Sequence, residues 1–126
     1  MTRSEKIRAA QNTSTPPEIL VTLSRDEDDY VRLYVALNPS APPEVLSQLS
    51  RDKNVVVRMS VAQNPSTPPE ALAQLADYWY DGVRERVANN PNTPIEVLLI
   101  LMVDDSSWVS KNAEHALYAR VSSCVY

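Results

Sequence analysis

Four cations recur at one spacing: Lys6, Arg32, Arg58 and Arg84 stand 26 residues apart. Such a row can do one of two things. Each cation can pair with a carboxylate of a neighbouring turn, for which Asp26, Asp52 and Asp81 are candidates. Or the row can form a basic stripe for an anionic partner such as a nucleic-acid backbone. A position filled alike in every copy usually serves the stacking of the copies, which favours pairing. Catalytic chemistry has few candidates. The chain has one histidine, His115, and one cysteine, Cys124. No internal disulfide or multi-cysteine metal site can form, and no Ser/His/Asp or Cys/His set offers a choice of members. The acids of RDEDD (25–29) lack the spacing and the glycine of a calcium loop and read as a solvated turn. There is no glycine-rich phosphate loop. The reading is a protein that is not an enzyme and carries no cofactor or metal.

The elements that hold these residues repeat with the same step. NTSTPPE, NPSAPPE, NPSTPPE and NPNTPIE start at residues 12, 38, 64 and 90. Before them run EKIRAAQN, VRLYVALN, VRMSVAQN and VRERVANN; after them run EILVTLS, EVLSQLS, EALAQLA and EVLLILM. Self-similarity at a fixed period of a few tens of residues marks a solenoid. In VRMSVAQN, the apolar Val57, Val61 and Ala62 fall on one face of a short helix. Pro65 disfavours helical geometry at Asn64 and ends that helix. Asn64 tolerates left-handed backbone and can bond its own turn. In STPPE, Thr67 reads as an N-cap and Glu70 as its capping-box partner, repeated by Thr15/Glu18 and Thr93/Glu96. Ala41 replaces the threonine in the second copy, which predicts a weaker cap there. A second short helix follows, with Ala71, Leu72 and Leu75 inward. Neither helix is stable alone, so neighbouring copies must bury the faces.

The boundaries read as repeats over about 5–30, 31–56, 57–82 and 83–108, all in one domain. In a fifth copy Glu114 and Ala116 replace the Ala and the Asn, and no proline follows. Val109, Ala113, Ala116, Leu117 and Val121 then mark one face of a C-terminal cap helix over about 107–121.

The pattern VRxxVAxNPxTPPExLxxLA resembles the leucine-rich repeat variant (LRV) family, HEAT-like helical repeats of bacteria, over about residues 5–109. The resemblance implies an all-α, right-handed solenoid of about four and a half 26-residue repeats, in which α-helices alternate with short α- or 3₁₀-helices. It implies that the VRxxVAxN helices line an inner, concave layer. One family member carries an iron–sulfur cluster in a separate cysteine-rich segment. This chain has no such segment.

Positions that vary on a fixed frame are either where a repeat protein places partner contacts or ordinary surface that has drifted. Leu33/Met59/Glu85, Tyr34/Ser60/Arg86 and Leu37/Gln63/Asn89 vary on the first helix, off its expected buried face. DYWYDG (77–82) puts Tyr78, Trp79 and Tyr80 where the previous copy has a charged turn, either covering the stack edge or forming a contact hot spot. Trp108 can share that edge. Candidate contacts are therefore Arg32, Leu33, Tyr34, Arg58, Met59, Tyr78, Trp79, Tyr80, Arg84 and Arg86. The function expected is a non-catalytic protein- or peptide-binding module. The alternatives are nucleic-acid binding through the Arg ladder, which the net charge of −4 opposes, and a small acidic inhibitor or immunity-type protein. There is no apolar run long enough to span a membrane and no signal-peptide core at the start, so the expected location is cytoplasmic.

Overall fold

In the computed structural model, residues 1–123 are described, and Cys124 lies outside them. These residues form nine α-helices and no strand. Nine-residue helices α1 (Arg3–Gln11), α3 (Asp29–Leu37), α5 (Val55–Gln63) and α7 (Asp81–Asn89) alternate with seven-residue helices α2 (Pro17–Leu23), α4 (Pro43–Leu49), α6 (Pro69–Leu75) and α8 (Ile95–Leu101). The terminal helix α9 spans Ser107–Ser123. The second helices are α-helical throughout, with no 3₁₀ segment among the described residues.

The chain is an α-helical solenoid of two layers. Each long helix packs on the next long helix, α1 to α3 to α5 to α7 to α9, while the short helices touch chiefly the long helices beside them. The core lies between the layers and repeats with the sequence. Val31, Val35 and Ala36 face Val45, Leu46 and Leu49, and the next copies follow in register. Full burial of each such Leu or Val contributes about 1.5–3 kcal/mol.

Two local expectations are corrected by side-chain direction. The threonines before the prolines do not cap the short helices, whose N-caps are Pro16, Pro42, Pro68 and Pro94, without a side-chain cap bond. Instead the Thr67 hydroxyl donates backward to the Val61 carbonyl at 2.6 Å, and Thr15 and Thr93 do the same to Ala9 and Val87. The proline pair starts the helix because its missing N–H groups have no helical partner to lose. Threonine, one residue too early to cap, ties off the end of the preceding long helix. Ala41 therefore lacks this tie, not a cap. The capping box in the chain is at Thr2 and Glu5, at the start of α1.

The asparagines do not adopt left-handed backbone either. Asn38, Asn64 and Asn90 are extended, with φ of −74°, −72° and −81°. The following proline enforces that geometry. Each side-chain oxygen does accept from the backbone N–H two residues on, as Ser66 donates to Asn64 Oδ1 at 2.8 Å.

At the C-terminus, α9 runs on because Ala116 and Leu117 stand where Asn and Pro end α3, α5 and α7. Val109 and Ala113 are buried and Ala116 packs against the core, but Val121 is exposed, since α9 outruns the layer beneath it.

Candidate functional site

Two ladders of polar side chains recur from copy to copy. The asparagine ladder is buried. Asn38 Nδ2 donates to the Ala10 and Asn12 carbonyls, Asn64 to Ala36 and Asn38, and Asn90 to Ala62 and Asn64. No asparagine follows at residue 116. There Arg120, one helical turn further on, donates to the carbonyls of Asn90, Pro91 and Thr93. The terminal helix thus satisfies the last corner with a different side chain.

The cation ladder points forward, to the turn of the same repeat that precedes the next long helix. Lys6 meets Asp26 at 2.8 Å, Arg32 meets Asp52 at 2.8 Å, and Arg84 meets Asp104 at 2.8 Å. The sequence reading named Asp81 as a candidate acid, but Arg84 takes Asp104, twenty residues ahead, as Arg32 takes Asp52. Arg32 is only 6% exposed and also holds Asp29 and the carbonyls of Asp26 and Glu27. Its charge and that of Arg84 are pushed further toward the protonated form by hydrogen bonds to Asp52 and Asp104 respectively. Hydrogen bonds from neighbouring cations hold Asp26, Asp28 and Asp104 below their ordinary range, through Lys6, Arg3 and Arg84 respectively. The acids of residues 25–29, read as a solvated turn, are therefore largely engaged in pairing: Asp26, Asp28 and Asp29 each contact a cation.

The third copy breaks the ladder. Position 78 is tyrosine where the other copies have aspartate, and the Arg58 guanidinium lies 4.3 Å from the centroid of its ring. Arg58 also donates to the backbone carbonyls of Asp52 and Arg51. Asp28 and Asn54 cap α3 and α5, whereas Tyr80 at the same position leaves α7 without a side-chain cap. Tyr78 packs against the core, Tyr80 is exposed, and Trp79 is 75% exposed. The Trp79 ring lies 5.6 Å from each tyrosine ring. Within the aromatic turn, one ring covers the stack edge and two face solvent. Gly82, the chain's single glycine, is part of this arrangement. A Cβ there would sit 2.6 Å from the Tyr80 ring, and φ is not positive, so the glycine serves close approach and not an unusual backbone.

The variable columns form the open side of the long-helix layer. They are less exposed than the sequence suggested. Leu33, Tyr34 and Met59 pack partly on the core, and Ser60 is buried with its hydroxyl on the Val56 carbonyl. Leu37, Gln63 and Asn89 are exposed. Along one edge the register brings up Tyr30, Val56, the Gly82 slot filled by Tyr80, and Trp108, so each of these copies contributes one apolar side chain. Sequence reading missed this row because Gly82 hides the third member. Leu33 lines a hollow of about 190 Å³ with Asp29, Tyr30, Asn54 and Val56. A second hollow, of about 260 Å³, is polar and lined by Gln63, Glu85, Arg86, Asn89 and Asn90. Arg86 reaches Glu85 and the Gly82 carbonyl, and Asn89 donates to Asn112. The open face thus grades from apolar on α3 and α5 to polar on α7 and α9.

Residues 31–54 and 55–77 match the family model described as leucine rich repeat variant. These two repeats are similar to leucine rich repeat variant repeats. Comparison with curated proteins and with solved structures gave no match. The two matched variant repeats hold the Arg32–Asp52 staple, the Arg58–Tyr78 neighbourhood up to residue 77, and the Asn38 and Asn64 corners. No helix among the described residues is long and apolar enough to cross a membrane. No group of three His, Cys, Asp or Glu side chains placed to hold a metal occurs among them.

Proposed function

We propose that the chain is a non-catalytic module that holds a segment of a partner protein along the open side of its long-helix layer. One observation carries this reading. The repeated polar positions are committed to the stack, whereas the open-face columns change from copy to copy on an unchanged frame. Such a surface is preformed, so binding loses little to ordering of the module. Leu33, Tyr34 and Met59 would take apolar side chains of the segment. Glu85, Arg86 and Asn89 would take polar or charged ones, and Tyr80 and Trp108 would anchor its edge. Nucleic acid is the weaker reading, because Arg32, Arg58 and Arg84 already hold Asp52, Tyr78 and Asp104. Duplex phosphates are also closely spaced, at ~3.4 Å along each strand, whereas helices of successive layers lie ~8–10 Å apart.

A photo-crosslinking residue placed at Met59, Gln63 or Glu85, and at Gln48 on the short-helix side as control, tests this in the cell of origin. The expected result is one protein crosslinked from the three open-face positions and not from Gln48. Crosslinks only to nucleic acid, or none from the open face, would reject it.

A further inference from the structure

The short helices turn toward solvent a face that is most apolar in the fourth copy, where two of its columns change from polar to apolar. The position of Ile100 is Thr22, Gln48 and Gln74 in the earlier copies, and the position of Val103 is Arg25, Arg51 and Asp77. In α8 and the turn after it, Ile95, Leu99, Ile100 and Val103 are all exposed, Ile100 by 63% and Val103 by 83%. Ile95, Leu99 and Ile100 lie on the solvent side of α8, and Val103 follows in the turn just past the C-cap Met102. The core is already filled from the other side by Val97, Leu98 and Leu101. Contiguous apolar surface of this kind marks an interaction site more often than chance exposure.

Acids border the patch at both ends. Glu96 is exposed in the first turn of α8, with Glu70 at the same place one layer back. Asp105 is exposed beyond Val103, with Asp77 one layer back. No cation occurs between residues 95 and 105, and Arg84 is taken by Asp104.

We propose that this face docks a basic amphipathic helix of another protein, its apolar stripe on Leu99, Ile100 and Val103 and its Lys or Arg flanks toward Glu96 and Asp105. This is helix recognition by an apolar surface with charged borders. A second copy of the chain fits less well, since a two-fold contact opposes the same patch to itself and sets acids against acids. The face lies on the short-helix side, away from the open face, so its occupant is independent of the partner proposed above.

The test is fluorescence anisotropy with the full chain and a labelled synthetic helix. The helix carries leucines at i, i+3, i+4 and i+7, with lysine and arginine on both flanks. Controls are a scrambled peptide of the same composition and one with glutamate flanks. Saturable binding is expected for the basic helix only, falling with salt. It should weaken about tenfold or more with Leu99→Glu or Val103→Glu and stay unchanged with Met59→Gln on the open face. Leu99 and Val103 are both exposed, so melting by circular dichroism should confirm that the variants fold. Absence of saturable binding, equal binding of either control peptide, or indifference to the α8 variants would overturn the proposal. So would sedimentation showing a dimer of the chain that Leu99→Glu dissociates, which would give the face to a second copy.

Discussion

The turns at Asp52 and Tyr78 occupy the same place in successive repeats, and they hold the stack by different physics. At Asp52 a carboxylate receives Arg32 through two nitrogens and the backbone N–H of Asn54, and Asn54 in turn caps α5 and reaches Asp29. At Tyr78 one ring takes the place of the carboxylate beneath Arg58, and the cap is gone. The frame survives because the arginine needs an electron-rich surface beside it, and a ring face provides one. What the third copy gives up in hydrogen bonds it gains in exposed surface, since Trp79 and Tyr80 reach solvent where the second copy has Lys53 and Asn54. A repeat can thus be specialised at a staple without losing its place in the stack.

The largest effect is expected from breaking the ionic seam. Asp52→Ala leaves a nearly buried guanidinium short of its main partner and should cost ~2–4 kcal/mol in urea unfolding. A value near zero would mean that Asp29 and the two carbonyls satisfy Arg32 alone. Removing the aromatic seam should cost less. Tyr78→Ala loses a half-buried ring and its cation contact, ~1–2 kcal/mol.

Acid should separate the two seams further. Arg84 holds the Asp104 carboxyl below its ordinary value of about 3.9. A carboxylate with a depressed folded pKa binds fewer protons folded than unfolded. The stability it contributes is therefore present above the ordinary value and is lost as pH falls through the folded value. Asp104→Asn should flatten the decline in stability from about pH 5 toward pH 2. In native hydrogen exchange, α9 should lose protection in acid before the contact between α5 and α7 does. The smallest effect concerns Gly82. Gly82→Ala should be neutral or unfavourable with Tyr80 present, and should stabilise by ~0.5–1 kcal/mol in a Tyr80→Ala background, where the helix gains a better residue without a clash.

The period made most of this fold legible. Val57, Val61 and Ala62 recur with their neighbours in step, and each is fully buried. Helix ends at Asn-Pro were legible because proline restricts the residue before it. The threonine ties were not, since whether a hydroxyl turns forward to a free N–H or back to a carbonyl depends on where the proline pair starts the helix. The acid that pairs with Arg84 was misplaced for a related reason: Asp81 is near in sequence, but the staple spans twenty residues. The forward step was visible only by lining up Asp26, Asp52 and Asp104, and Tyr78 interrupts that row. The apolar face of α8 is legible in the outward columns that end at Ile100 and Val103, which are polar in every earlier copy. For the open face, the sequence located the variable columns. It did not show that Leu33, Tyr34 and Met59 are shared between core and surface.

The central claim is that the repeated cations hold the stack and leave recognition to the columns that vary. It is tested most directly by the triple change Arg32→Gln, Arg58→Gln and Arg84→Gln, measured for melting and for binding of labelled duplex DNA at moderate salt. The account predicts a melting temperature lower by about 10 °C or more, with DNA binding at background before and after the change. An unchanged melting curve, together with micromolar DNA binding that the triple change abolishes, would contradict it.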